Sequence, residues 1–488
     1  MTTRARATAD PGRAVLVIAC IAQFMVVLDI SIVNVALPTM RRALDLSPAG
    51  QQWIVNAYTL VFGGCLLFGG RAADIYGRRR TFVAGLTLFS VASLVGGLAQ
   101  SGGMLIAARA VQGLGAAVLA PATLSLITTT YLEPAARTRA LTAWGATAAT
   151  GGAFGAVLGG LLTDGFGWRS VLFVNVPIGA ALLVASLATL EELRRDGPAR
   201  TLDLPGTVTV TGGLALFIYA IVTTDTHAWG SLHTLGLLAL SLVILATFVV
   251  IELRASDPTV PLAIFRNRAL SGANAIALLL GALIGAQIFF LSLYLQQVNH
   301  YSPLHAGLVL LVPTAGAFMA SLISGKLVGR VGPRAILIAG PLLGAVGSFW
   351  LSRLDAGASF LPFALPALIT VLGCASCFVP MTMSATAGVE LRDAGLASGL
   401  INSSRQIGSA VGLAALVTVA TSHTTGLLHE GGHSVPSALA AGYDRGFLIT
   451  AFLALLMALI AAVVLPRIPK KDEVAAERPE AAMALESG

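Results

Sequence analysis

Asp29 lies in the stretch Leu28-Asp29-Ile30-Ser31-Ile32-Val33-Asn34-Val35-Ala36-Leu37-Pro38 and is the one acid in an apolar run that begins at Ala14. A carboxylate near the centre of a bilayer costs roughly 2.5–3.5 kcal/mol on insertion scales, so an acid placed there reads as functional and needs a partner. Arg109, in Arg109-Ala110-Val111-Gln112-Gly113-Leu114-Gly115-Ala116-Ala117, is a cation inside a second apolar run. The chemistry open to such a pair is reversible protonation. A carboxyl beside an arginine titrates low and one in an apolar cavity titrates high, so a change of pairing or wetting can load and release a proton. At 1.5 Å per residue Asp29 sits ~12 Å below the exterior end of its span and Arg109 ~9 Å below the same surface. The depths match, and coupling follows unless each group snorkels or bonds within its own helices. Asp164, Glu133, Glu390 and Asp393 fall at span ends or in loops, which leaves Asp29 as the proton carrier by elimination.

The elements that must position this pair are membrane helices. Of the 488 residues 56% are hydrophobic and only 11% charged, too apolar a balance for a soluble globular chain. Apolar runs long enough to span recur at 14–37, 51–70, 81–99, 103–127, 139–162, 168–188, 206–224, 232–252, 271–297, 304–328, 334–352, 360–385, 396–420 and 445–465. Fourteen spans put both termini on one side. With that side inside, 23 of the 30 Lys and Arg residues are cytoplasmic, five (Arg41, Arg42, Arg169, Arg353, Arg445) are exterior, and Arg109 and Arg405 lie in spans. This is a clear positive-inside asymmetry, and it accounts for the net charge of +7 without a nucleic-acid partner. No cleavable signal peptide is expected, because the first run is long enough to span.

An internal repeat divides the chain. Gly70-Arg71-Ala72-Ala73-Asp74-Ile75-Tyr76-Gly77-Arg78-Arg79 and Gly325-Lys326-Leu327-Val328-Gly329-Arg330-Val331-Gly332-Pro333-Arg334 align at a single offset, which matches Gly77 to Gly332 and Arg79 to Arg334. Two related halves are the mark of a transporter built from repeats. The expected division is a tail at 1–13, a six-helix bundle at 14–190, a charged linker with two inserted helices at 191–257, a second six-helix bundle at 258–466 and a disordered tail at 467–488.

Gly70, Asp74, Gly77, Arg78 and Arg79 form a tight charged connection suited to gating, since such ties can be made in one conformation and broken in another. The alternative is an anchor of positive charge that sets topology only. Gly151, Gly155 and Gly159 recur every four residues, with Gly160 beside them, as a ridge that admits another helix closely. Gln23, Asn34, Trp53, Asn56, Tyr58, Gln112, Gln287, Tyr294 and Gln406 are candidates to line a substrate cavity, although polar residues in spans also stitch helices together. Asn402, Gln296 and Gln297 belong to the same pool. Cys374 and Cys377 form a CxxC in a wholly apolar setting and read as small packing residues. The seven histidines map to or beside exterior loops. His429 and His433, in a long loop from about 421 to 444, are a solvated pair unless they bind a metal. No cofactor or metal is expected.

These motifs resemble the major facilitator superfamily, in particular its fourteen-helix drug:proton antiporter branch, over nearly the whole chain to about Pro466. The opening stretch is similar to that branch's first-span signature, with Ser31 in a threonine position. Gly70–Arg80 is similar to the superfamily's cytoplasmic loop motif, and Arg109–Ala117 to the fourth-span motif. Trp53-Ile54-x3-Tyr58 and Trp168-Arg169-x3-Phe173-x-Asn175-x-Pro177-Ile178-Gly179 are similar to that branch as well. The resemblance implies an all-α fold of two six-helix bundles plus two linker helices, and a role for Arg109 in proton transfer. It also implies no enzymatic activity. The protein would be a monomeric plasma-membrane exporter of lipophilic drugs or antibiotics driven by protons. One departure stands out. The branch's fifth-span motif carries a proline after its first glycine, whereas here it reads Gly155-Ala156-Val157-Leu158-Gly159-Gly160, so the backbone hydrogen bond survives and no proline kink forms. The second half lacks the deep acids that hold dications, which points to monovalent cationic, neutral or zwitterionic substrates. Two alternatives stay open: an exporter dedicated to one metabolite or lipid, and a polytopic membrane enzyme or receptor. The last would need a deep nucleophile–base or metal cluster.

Overall fold

A computed structural model describes residues 11–466 apart from 132, 191–202, 226, 256–257, 259, 355–359, 388, 390–393, 431 and 433. Among the described residues fourteen helices are long and apolar enough to cross a membrane: α1 Pro11–Ala43, α2 Pro48–Tyr76, α3 Arg78–Gly97, α4 Gly102–Thr130, α5 Pro134–Phe166, α6 Ser170–Thr189, α7 Leu204–Val222, α8 Leu232–Arg254, α9 Arg268–Val298, α10 Pro303–Val331, α11 Pro333–Leu351, α12 Phe360–Thr386, α13 Ala394–Glu430 and α14 Val435–Val463. Among the described residues there is no strand, as expected where every backbone group must be satisfied within its own segment.

Helix starts are written in the local sequence. Ser47, Ser101, Asp203, Ser231, Asn267 and Ser434 each accept a bond from a backbone N–H of the first turn, and Pro48, Pro205, Pro333 and Pro436 stand where a missing N–H costs nothing. Most helices overrun the expected spans by a few residues, since hydrogen-bonded turns continue past the apolar stretch. The largest correction concerns the exterior loop expected from about 421 to 444. α13 continues to Glu430 and α14 starts at Val435, so most of that segment is helical despite its Gly, Ser and His content. His429 sits in the last turn of α13, its ring nitrogen 2.8 Å from the Thr425 carbonyl, while His433 lies outside the described residues.

The chain divides into two compact units, one of residues up to Val260 together with Tyr301–Leu311, the other of Pro261–His300 together with residues from Val312 onward. The first turns of α10 cluster with the first unit, as do the two helices α7 and α8 of the expected linker. In that unit Met25, Tyr58, Phe82, Leu86, Phe89 and Leu119 pack into one core. α7 and α8 form a hairpin that joins this unit through α2, where Gly64 leaves room for Thr211 and the Cys65 Sγ lies 3.8 Å from the Thr211 hydroxyl. Leu232 and Leu253 of α8 are largely exposed, an apolar surface suited to lipid. The second unit packs Leu270, Leu280, Leu337, Met381, Ile401 and Met457 into a core of its own.

The repeat has a physical counterpart in both units. Gly77 turns the chain between α2 and α3 at φ 93°, and Gly332 does the same between α10 and α11 at φ 80°. Just beyond each turn an arginine ties the new helix to a later helix of its unit: Arg79 Nη2 donates to the Leu187 carbonyl of α6 at 2.9 Å, and Arg334 Nη2 donates to the Ala462 carbonyl of α14. Gly77→Ala and Gly332→Ala each put a Cβ into a conformation that L residues avoid, and each is expected to cost about 1–3 kcal/mol. Gly329→Ala, with nothing within 4 Å of the new methyl, is the neutral control in thermal unfolding of the detergent-solubilised protein.

Candidate functional site: a buried ion pair joining five helices

Asp29 and Arg109 meet. Arg109 Nη1 donates to Asp29 Oδ2 at 2.5 Å, with Asp29 0% and Arg109 2% exposed. Their surroundings follow from helix geometry. Arg109 and Gln112 are three residues apart and share a face of α4, so the same Arg109 nitrogen reaches the Gln112 Oε1 at 2.7 Å. Gln112 Nε2 in turn donates to Asp29 Oδ1 at 2.8 Å. Asn175, near the start of α6, adds a second amide to the same oxygen at 2.9 Å. The Ser93 hydroxyl of α3 accepts from both amides, at 3.2 Å from Gln112 and 3.0 Å from Asn175, and donates to the Leu172 carbonyl at 2.8 Å. On α2, Ile54 and Tyr58 complete the shell: Arg109 Nε donates to the Ile54 carbonyl at 3.3 Å, and the guanidinium carbon stands 4.3 Å from the centre of the Tyr58 ring.

Bare backbone makes this convergence possible. Gly113 faces the Tyr58 carbonyl so closely that any Cβ there would collide with it, which brings α4 onto α2 at the level of Arg109. Gly115 and Gly85 do the same between α4 and α3, where added Cβ atoms would stand 2.6 Å from the Phe89 nitrogen and 2.9 Å from the Leu119 nitrogen. The glycine ridge of α5 faces α1. A Cβ on Gly151 would meet the Phe24 carbonyl at 3.0 Å, one on Gly155 would meet the Ser31 Cβ at 2.6 Å, and one on Gly159 would meet the Ile32 carbonyl at 2.8 Å. Ser31 fixes the seam by donating to the Gly152 carbonyl at 2.8 Å. Gly160 faces Pro303 and Leu304 instead, within the part of α10 that belongs to this unit.

The arrangement has a definite chemical capacity. The carboxylate accepts three charge-assisted or amide hydrogen bonds, one on Oδ2 and two on Oδ1. A proton on Oδ1, which already accepts from Gln112 and Asn175, takes the place of one of those two bonds. Arg109 then keeps the Ile54 carbonyl and the Tyr58 ring as uncharged partners. The carboxylate is in this way tied to side chains or backbone of α1, α2, α3, α4 and α6 at once.

The other sequence candidates distribute unevenly. Tyr58 and Gln112 belong to the network around Arg109. Asn34 donates to the Ile30 carbonyl of its own helix at 2.7 Å. Gln23 and Asn56 are buried, and Gln23 Oε1 and both amide atoms of Asn56 have no hydrogen-bond partner among the described residues; Trp53 is half-buried. Gln287, Tyr294 and Gln406 lie in the second unit, where the Tyr294 ring stacks on Phe363 at 5.4 Å. In the loop motif, Gly70 faces Pro121, Gly77 makes the turn and Arg79 the tie to α6, while Arg71 Nη1 donates to the Pro258 carbonyl at 3.1 Å. Arg78 follows Gly77 at the start of α3. The Asp74 side chain lies outside the described residues. Cys374 and Cys377 are buried free thiols, packed where Gly344 and Gly340 of α11 approach α12. Sequence reasoning missed Asn175 and Ser93 as network members. Asn175 carried a usable signal, a lone amide in an apolar run, whereas serine is too common in membrane helices to be singled out.

Comparison with known proteins places this geometry in a family. The sequence profile of the Major Facilitator Superfamily matches residues 19–413 and 273–487. A cephamycin export protein of Amycolatopsis lactamdurans is 43% identical over 92% of this chain and 92% of its own. A puromycin resistance protein of Streptomyces alboniger is 40% identical over 92% of this chain and 90% of its own. Among solved structures, a D-xylose–proton symporter superposes with a TM-score of 0.67 at 13% identity, covering 93% of this chain and 98% of its own, a likeness of fold alone. The family is one of membrane transporters rather than enzymes. This chain belongs to the major facilitator superfamily.

Proposed function

We propose that the protein exports small lipophilic molecules of the antibiotic type across the plasma membrane by alternating access, each cycle driven by proton entry through Asp29. The observation that carries this reading is a carboxylate with no solvent exposure, held at once by Arg109, Gln112 and Asn175 in a membrane helix. A buried charge in a membrane span is costly and marks a functional group, and protonating this one loosens the helices it ties. In the exporting cycle Arg109 tunes the proton affinity of Asp29, and the α2–α3 loop with Gly70, Asp74, Gly77, Arg78 and Arg79 gates the cytoplasmic side, where both termini lie. The glycine seam between α5 and α1 lets those helices shift with the network. Each unit offers substrate contacts of its own, Gln23, Trp53 and Asn56 in the first and Gln287, Tyr294 and Gln406 in the second, and the protein acts as a monomer. Relatives named for cephamycin export and puromycin resistance support an antibiotic-like cargo.

The test uses everted vesicles with an imposed pH gradient. Wild type accumulates a fluorescent lipophilic substrate, and Asp29→Asn, which keeps the side-chain shape and cannot carry the proton, is expected to abolish accumulation. Uptake by Asp29→Asn equal to wild type under the same gradient would sink the reading. A second reading, export of one dedicated compound, is favoured by relatives each named for a single antibiotic. A susceptibility panel decides it, with protection against one compound alone pointing to the dedicated exporter.

A further inference from the structure

The first unit neutralises its buried cation with Asp29. The second holds a half-buried cation in a membrane-length helix, Arg405, with no such partner among the described residues. Arg405 lies in α13, within the portion Leu396–Glu430 that is long and apolar enough to cross a membrane and within the span expected from the sequence at 396–420. Its Nη2 donates to Asn402 Oδ1 at 3.2 Å, and its guanidinium carbon stands 5.7 Å from the centre of the Phe378 ring on α12. Neither neighbour is charged. Among the described residues no carboxylate stands within ion-pair distance of it.

The position is built rather than incidental. The Arg405 carbonyl presses against Gly281 of α9, and Gly285, Gly408 and Gly412 continue a close seam between α9 and α13, so the backbone that carries the guanidinium is held rigidly. Asn402, Arg405, Gln406 and Ser409 follow the i, i+3, i+4, i+7 spacing and share one helix face. Gln406, 4% exposed, has an Nε2 with no partner among the described residues. That face therefore offers a guanidinium fork with one donor engaged and a buried amide donor beside it. Cations inside membrane spans face the protein interior or a wet route and mark the path of what is carried. A planar fork of N–H donors fits a carboxylate with two parallel bonds.

We infer that Arg405 holds an anionic group, a carboxylate, of the transported molecule, with Asn402 and Gln406 completing its hydrogen bonds. The inference rests on the transport reading above and narrows its substrates to lipophilic molecules that bear a carboxylate, zwitterions included.

The experiment measures binding to the full-length protein in detergent by fluorescence anisotropy, with 1-pyrenebutyrate and its methyl ester as probes. Wild type is expected to hold the acid about tenfold more tightly than the ester, a difference of about 1.4 kcal/mol. Arg405→Gln loses the preference and keeps the ester affinity, and Arg405→Lys retains part of the preference. A wild type that holds the two probes alike, or holds neither, overturns the inference. So does an Arg405→Gln variant that weakens both probes equally, the mark of a structural role. Phosphatidylglycerol added in excess over the probe leaves the preference intact; displacement of the acid by the lipid would assign Arg405 to a headgroup phosphate and reject the substrate carboxylate. The vesicle assay separates the two proposals. Proton-driven uptake that needs Asp29, without acid preference, fails only the carboxylate assignment. Acid preference without proton-driven uptake fails only the transport reading.

Discussion

Arg109→Leu is expected to destabilise the solubilised protein by about 3–5 kcal/mol, because it leaves the Asp29 carboxylate buried without its counter-charge. Gln112 and Asn175 still donate to Asp29 Oδ1, but the Oδ2 loses its partner and the Tyr58 ring loses the cation above it. Asp29→Asn alone strands the guanidinium in the same way. The double variant Asp29→Asn with Arg109→Leu removes both charges, and it is expected to recover most of the stability while remaining inactive. SDS-driven unfolding followed by tryptophan fluorescence measures the four species. If the losses of the two single variants simply add in the double, the pair makes no net contribution and the picture of one coupled network is wrong.

Gly155→Val is expected to damage transport strongly although it removes no polar group. Its Cβ would stand 2.6 Å from the Ser31 Cβ and 3.1 Å from the Leu28 carbonyl, so α1 must move away from α5. That shift costs about 1–3 kcal/mol by overpacking. It also breaks the Ser31–Gly152 bond and displaces Asp29, two residues from Ser31, from its donors. Transport in everted vesicles is expected to fall at least roughly tenfold, the equivalent of about 1.4 kcal/mol. Gly165→Val, later in the same helix and with nothing within 4 Å, is expected to transport as wild type does. Equal activity in the two variants would remove the seam from the mechanism.

The contrast between these two sites shows what a one-dimensional reading can reach. Asp29 and Arg109 stood out because hydropathy is a local property and a charge in an apolar run is conspicuous without any fold. Depth, counted at a fixed rise per residue, was enough to place them at one level. The identity of the shell was not legible in the same way. Gln112, Asn34 and Asn56 are alike as amides or polar residues in spans, yet Gln112 joins Asp29, Asn34 bonds back to Ile30, and Asn56 is buried with neither amide atom bonded among the described residues. What separates them is rotation about each helix and the approach of its neighbours, which Gly113, Gly115 and Gly85 set. The segment after residue 420 misled for a different reason. Its polar composition reads as loop, but composition reports the solvent and not the backbone, and α13 continues through it to Glu430. The glycine turns at 77 and 332 were visible as a repeat, while the arginine ties beyond them needed the structure.

The ion pair carries an energetic corollary. If one proton enters per turnover, as the proposed cycle through Asp29 has it, the transporter moves one elementary charge against an uncharged cargo. A membrane potential of about 100 mV supplies about 2.3 kcal/mol per charge and a pH unit about 1.4 kcal/mol, together about 3.7 kcal/mol. That caps the steady-state concentration ratio of a neutral drug at about 500-fold. A cargo that leaves as an anion is pushed outward by the same potential and escapes this ceiling. The pump would clear acids to lower residual levels than neutral compounds of equal affinity, a difference set by electrical work and not by the shape of any pocket.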